Sequence, residues 1–96
     1  MYINRRTFST RIERGEDAVS ILKTGAKRLG WKPIYRILTS HFGTFGEVQL
    51  ELEFETMADY EKFWADFDAA PETAGIMAQW LETVLEGGTN ELWEVA

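Results

Sequence analysis

The stretch from Ile34 to Glu55 constrains this chain more than any other, because it sorts apolar from charged residues by parity. Two alternating runs flank Gly43-Thr44-Phe45-Gly46. Glycines around a short loop permit the positive φ angles that a hairpin turn needs. Symmetric pairing about that link sets Tyr35, Ile37, Thr39 and His41 opposite Phe54, Leu52, Leu50 and Val48. The other face then carries Ile34, Arg36, Leu38, Ser40 and Phe42 against Glu55, Glu53, Glu51, Gln49 and Glu47. One face can build a core; the other looks to water, a partner or a ligand.

Before the hairpin, Tyr2 to Thr10 alternates and predicts a strand, with Tyr2, Asn4, Arg6 and Phe8 on one face. Glu16 to Leu29 has helical spacing at Ala18, Leu22, Ala26 and Leu29. Acids open that helix, bases close it, and Gly30 follows as a C′ residue. Gly25 in its interior suits a close approach to the sheet. After the hairpin, Thr56 is an N-cap with Asp59 three residues on. Met57, Tyr60, Phe63, Trp64 and Phe67 then share one broad helical side. Pro71 breaks this second helical stretch, since proline is tolerated in a first turn and not in an interior. The helix beyond it predicts a buried side of Ala74, Met77, Trp80, Leu81, Val84 and Leu85, and ends at Gly87-Gly88. Glu91 to Val95 reads as a closing strand.

The order β-α-β-β-α-α-β is a split βαβ pattern. It predicts an α+β, ferredoxin-like domain over residues 1–96, with helices on one face of a four-stranded antiparallel sheet ordered 4-1-3-2. In that order Glu51 lies between Arg5 and Arg36, and cross-strand opposite charges set register. The helix-free face mixes this Arg–Glu ladder with Ile3, Ile34, Leu38 and Phe42. Such a face is too apolar for water alone, and a homodimer through it is the expected partner.

Charge and composition remove several function classes. Ninety-six residues with 45% hydrophobic content make one folded domain. No cysteine is present, which excludes disulfides, thiolate catalysis and zinc–cysteine sites and fits a reducing, cytoplasmic setting. A net charge of −6 opposes nucleic-acid binding. No apolar run approaches the roughly 20 residues of a membrane helix, and no signal peptide is expected.

The chain resembles the dimeric α/β-barrel superfamily. It is similar to the NIPSNAP-like group within it, and next to the antibiotic-biosynthesis monooxygenase-like group. The residues that carry this are Tyr2-Ile3-Asn4-Arg5-Arg6-Thr7-Phe8, Gly15 before the first helix, and the glycine turn into Val48–Glu55. The aromatic helix Tyr60 to Phe67 and the closing Leu92-Trp93-Glu94 also fit. The resemblance implies two such sheets closing into a shared barrel, with a ligand cleft between sheet and helices. The monooxygenase-like group implies an asparagine on the first strand and a tryptophan on the later helices, positions matched by Asn4 and Trp64. Haem-degrading relatives need a histidine on the helix after Pro71. Pro71 to Glu86 holds none, so no haem or other cofactor is expected.

Polar Asn4 and Arg6 on a helix-facing strand side must find partners or water, and a pocket there accounts for them. Together with His41, the sole histidine, they are the candidate catalytic residues, able to stabilise an enolate. Tyr35, Tyr60, Trp64 and Trp80 are the candidate ligand contacts, since aromatics line small-molecule pockets. Glu47, Glu51, Glu53 and Glu55 stand nearly 7 Å apart at alternate positions, and Arg5 and Arg36 compensate them, so no metal site is expected. The predicted function is binding of a small hydrophobic or aromatic molecule between sheet and helices. A cofactor-independent monooxygenase or isomerase acting on an aromatic, polyketide-like substrate is the enzymatic alternative. A non-catalytic structural dimer is the other.

Overall fold

A period of two dictates what the run Glu47 to Phe54 does in the computed structural model, which describes residues 1–96. Val48, Leu50, Leu52 and Phe54 all turn into the core and are buried. The elements are β1 (Tyr2–Ser9), α1 (Gly15–Leu29), β2 (Tyr35–Thr39), β3 (Glu47–Phe54), α2 (Met57–Ala69), α3 (Thr73–Thr83) and β4 (Thr89–Glu94). The strands form one antiparallel sheet in the order β2-β3-β1-β4, as the split pattern predicts. Helix residues cover the even-numbered face of β3. Ala18, Trp80 and Val84 close on Val48, while Leu22, Tyr60, Phe63 and Trp64 pack on Leu50, Leu52 and Phe54. No helix is long and apolar enough to cross a membrane.

Local chemistry ends each helix. Gly30 takes φ 62° and its N–H reaches Lys27 O at 3.2 Å, so α1 stops where a left-handed residue is cheapest. Thr56 Oγ1 accepts the Asp59 N–H at 3.1 Å and starts α2. Pro71 lies in the break between α2 and α3. Gly88 has φ 94°, and a Cβ there would stand 2.3 Å from Thr7 O. Only glycine lets the chain enter β4 that close to β1.

Several details differ from the sequence reading. The hairpin register is shifted by two residues, pairing Tyr35 with Leu52, Ile37 with Leu50 and Thr39 with Val48. The loop spans residues 40–46 instead of four, with positive φ at Gly43 and Gly46 and the Gly46 carbonyl taken by Thr10 N–H. Parity survives, so the faces keep their residues, but His41 falls in that loop, exposed and off the strand. On α3 the buried stripe is Ile76, Trp80 and Thr83, and Ala74, Leu81 and Leu85 face outward. The helix ends at Thr83, because Val84 turns extended and bridges Thr10. Gly25 faces Ile76 of α3, at 3.6 Å from the nearest atom a Cβ would meet, and not the sheet. Met57 is exposed on α2.

The helix-free face is organised in rows across the strands. The middle row reads Arg36, Glu51, Arg5, Glu91. Arg5 Nε donates to Glu51 Oε2 at 2.7 Å, and Arg36 Nη2 donates to Oε1. Both carboxylate oxygens are thus committed, and the Glu51 side chain is only 6% exposed. Burial works to raise its pKa, and the hydrogen bonds and charges of the two arginines outweigh it, holding the group below the ordinary carboxylate range.

A carboxylate with a lowered folded-state pKa stabilises the fold above its unfolded pKa, about 4.3, and loses that contribution as pH falls through the lowered value. The arginine side chains remain 39% and 65% exposed, so solvent screening limits the pair to about 1 kcal/mol. Glu51→Gln is therefore less stable by about that amount at pH 7. Its urea midpoint falls less than the wild-type midpoint on acidification below pH about 4.3. Midpoints measured across pH check both.

Candidate functional site

Asn4 sits on the central strand, on the helix-facing side, with no exposed surface. A buried amide must satisfy its hydrogen-bonding groups within the protein, and Asn4 does. Its Nδ2 donates to Asn90 Oδ1 and to Glu91 O, both at 2.8 Å. Its Oδ1 accepts the Trp64 Nε1–H at 3.0 Å. One side chain thus ties β4 to β1 and aims an indole of α2. With both amide hydrogens committed, Asn4 positions Trp64 and offers no free donor to a substrate.

Two residues along β1, Arg6 lies opposite Leu50 and Asn90. Its Cζ stands 3.6 Å from the centroid of the Trp64 ring, a close cation–π stack. Phe63 and Phe67 hold Trp64 from either side, edge to face, at 4.9 and 5.5 Å. Burial pushes the Arg6 pKa down, opposed by the Tyr60 hydroxyl and by the Asp68 charge. Arg6 joins none of the four ion pairs, and its buried Nε has no hydrogen-bond partner.

Arg6 opens onto a cavity of about 390 Å³ between sheet and helices. Phe8 and Leu50 continue its floor, Ile21, Leu22 and Gly25 of α1 form one wall, and Ile76, Met77 and Trp80 of α3 another. Trp64, Phe67 and Asp68 of α2, with Leu29 at the end of α1 and Trp31 beyond it, complete it. Phe8 meets Trp80 edge to face at 4.8 Å, so the aromatic lining is fixed by packing. The volume lies within the range of small-molecule sites, and the apolar lining with few polar groups is their usual chemistry. A second cleft of about 560 Å³ runs beside Trp31, Ile34 and Phe63, rimmed by Lys32, Lys62, Glu53, Glu55, Asp59 and Asp66. None of the predicted site residues lines it.

The structure therefore gathers Arg6, Trp64 and Trp80 around one cavity, with Asn4 behind Trp64 and Tyr60 beside Arg6. Tyr35 packs edge to face on Trp31 at 5.5 Å and lines neither space. His41, exposed in the loop over residues 40–46, is apart from Asn4 and Arg6. The sequence reading missed Asp68, Met77 and Gly25 as wall residues. A glycine inside a helix was the available signal, since it costs about 1 kcal/mol against alanine and marks a place where bulk is unwanted. No three His, Asp or Glu side chains are placed to hold a metal ion.

No protein-family model matches the chain, and no curated protein matches it either. Solved structures do. The chain superposes over its whole length on an uncharacterized NIPSNAP domain protein from Burkholderia xenovorans, with TM-score 0.86 and 14% identity over 95% of that chain. It superposes equally fully on a NIPSNAP family protein of unknown function from Agrobacterium tumefaciens, with TM-score 0.81 and 16% identity over 88% of that chain. An antibiotic biosynthesis monooxygenase is similar at TM-score 0.73 and 11% identity, covering all of this chain and 99% of that one. At these identities the likeness establishes the fold, the one that the opening strand and aromatic helix resemble in sequence.

The Asn4 network makes a quantitative demand. Asn4→Leu keeps the volume and strands the Trp64 N–H and the Glu91 carbonyl, so it costs about 3 kcal/mol. Asn90→Ala removes a partner that is itself exposed and costs about 1 kcal/mol or less. Urea titration of both variants measures the difference.

Proposed function

We propose that this protein binds a small hydrophobic or aromatic molecule in the cavity between sheet and helices, as a homodimer assembled through the helix-free face. The observation that carries the binding reading is the 390 Å³ apolar cavity with Arg6 at its floor, stacked on an indole that hydrogen bonds hold in place. Rigid aromatic walls and one polar anchor are what orient a small ligand. The absence of cysteine suits the cytoplasm.

The dimer reading rests on the composition of the uncovered face. Ile34 is 68% exposed and Trp93 56%, with Ile3 between them in the register. The row Arg36, Glu51, Arg5, Glu91 reads plus, minus, plus, minus across the four strands. Reversed, it reads minus, plus, minus, plus. A two-fold axis along the strands between β3 and β1 therefore sets each charge of one copy over its opposite in the other. Self-complementarity of this kind is what an isologous interface requires.

The similarity to an antibiotic biosynthesis monooxygenase supports oxidation or isomerisation in the same cavity as a second reading. Arg6, the charged donor facing the cavity, then stabilises an enolate or phenolate, with Tyr60 beside it and Asn4 fixing Trp64. Turnover of an electron-rich phenol without metal or flavin, lost in Arg6→Gln, is the result that reading expects.

Binding is tested by filling the space. Thermal-shift and calorimetric screening of small aromatic compounds returns binders to the wild type, and Met77→Trp, which adds bulk at a half-buried lining position of α3, loses them. Hits unaffected by that substitution place the ligand elsewhere. For assembly, light scattering gives a dimer mass for the wild type and a monomer mass for Trp93→Asp. A wild-type monomer removes the barrel reading.

A further inference from the structure

The cavity has a cation at its floor with no carboxylate in ion-pair contact, although the Tyr60 hydroxyl and the Asp68 charge lie near it. Arginine stays protonated at any ordinary pH, so the Arg6 charge persists even though burial opposes it. Elsewhere on the sheet, and at the start of the first helix, arginines pair with carboxylates. Arg5 and Arg36 converge on Glu51, and Arg14 reaches Asp17 at 2.5 Å. Arg6 alone among the arginines of the sheet lacks a carboxylate within ion-pair distance. Asp68 is the one other charged residue lining the cavity, and it forms no ion pair with Arg6.

Stacking decides what the guanidinium can still do. Trp64 occupies one of its flat faces at 3.6 Å, while its N–H donors lie in the guanidinium plane and are untouched by the stack. The Nε–H is buried with no partner. That buried Nε has no surface on the cavity, so the part of the guanidinium that a ligand meets is its terminal Nη edge, a planar pair of donors that fits an acceptor with two oxygens in one plane, which is a carboxylate. Apart from Asp68, the lining beyond that edge is mostly apolar, with Phe8, Leu50, Met77 and Trp80. Asp68 adds a negative charge to the wall, which opposes a doubly charged phosphate more than a single carboxylate.

We infer that the cavity takes a monocarboxylic acid with an aromatic or alkyl body, its carboxylate on the edge of the Arg6 guanidinium and its body among Phe8, Leu50, Met77 and Trp80. This rests on the reading of the cavity as a ligand site and adds the chemical class of the ligand.

Matched pairs separate the two statements. Aryl-acetic acids and straight-chain acids of six to twelve carbons are titrated calorimetrically into the wild-type protein at pH 7, each beside its neutral primary amide. Several acids bind, about tenfold or more tighter than their amides, the ratio expected of a charge-assisted pair. Arg6→Gln brings the acid-to-amide affinity ratio down to about one, and Arg6→Lys retains part of the preference. Acids and amides binding alike in the wild type overturn the carboxylate inference and leave the cavity reading intact. No binding by either series overturns both. If Arg6→Gln does not fold, the wild-type acid-to-amide ratio decides.

Discussion

The structure depends on one buried amide. Asn4 lies on one of the two inner strands, and its side chain bonds β1 to both β4 and α2. A polar group with no exposure is costly if any of its bonds fails, because neither water nor an alternative partner can replace it. That cost gives specificity. Leucine packs against leucine in many arrangements, whereas Asn4 is satisfied only where Asn90, Glu91 and Trp64 all arrive together. The position of Trp64, and through it the posture of Arg6, follows from a residue that touches neither the cavity nor its contents.

The two faces of the sheet solve opposite problems with the same residue types. On the helix-free face arginine and glutamate neutralise one another, and Glu51 is buried because Arg5 and Arg36 close over it. On the helix side Arg6 meets an aromatic face in place of a carboxylate. A cation–π stack offsets part of the loss of hydration without using the in-plane donors. The first arrangement consumes hydrogen-bonding capacity and the second preserves it. This difference separates an arginine committed to a carboxylate from one that keeps its terminal donors free of an ion pair.

Strand order was legible in the sequence because alternation, turn glycines and the right-handed crossover leave few choices. The ladder between Arg5, Glu51 and Arg36 followed from that order. Hairpin register was not, since a slip of two preserves parity and so leaves the hydrophobic pattern silent. His41 was placed on the core face for that reason alone. The outward turn of Leu81 and Leu85 was hidden for a different cause. Periodicity identifies an apolar side of a helix, but Thr83 entered the core by bonding its hydroxyl to Gln79 O, 2.8 Å away, and so competed with the leucines for the inward position. Asn4 and Arg6 were legible as anomalies of patterning. Which of them the protein satisfies and which it leaves open lies in long-range contacts that no local pattern encodes.

Those contacts also set an order of events. The central strand is the first to be made, yet both its neighbours come much later, and Asn4 waits 86 and 87 residues for Asn90 and Glu91. During synthesis β1 has no strand to pair with until the hairpin is complete, and its amide has no full set of bonds until β4 emerges. Closing so long a loop precedes any gain from the contact it allows. Docking of β4 is thus the step that completes the sheet and, through Asn90, Glu91 and Asn4, the hydrogen-bond set that orients the Trp64 indole beside the cavity.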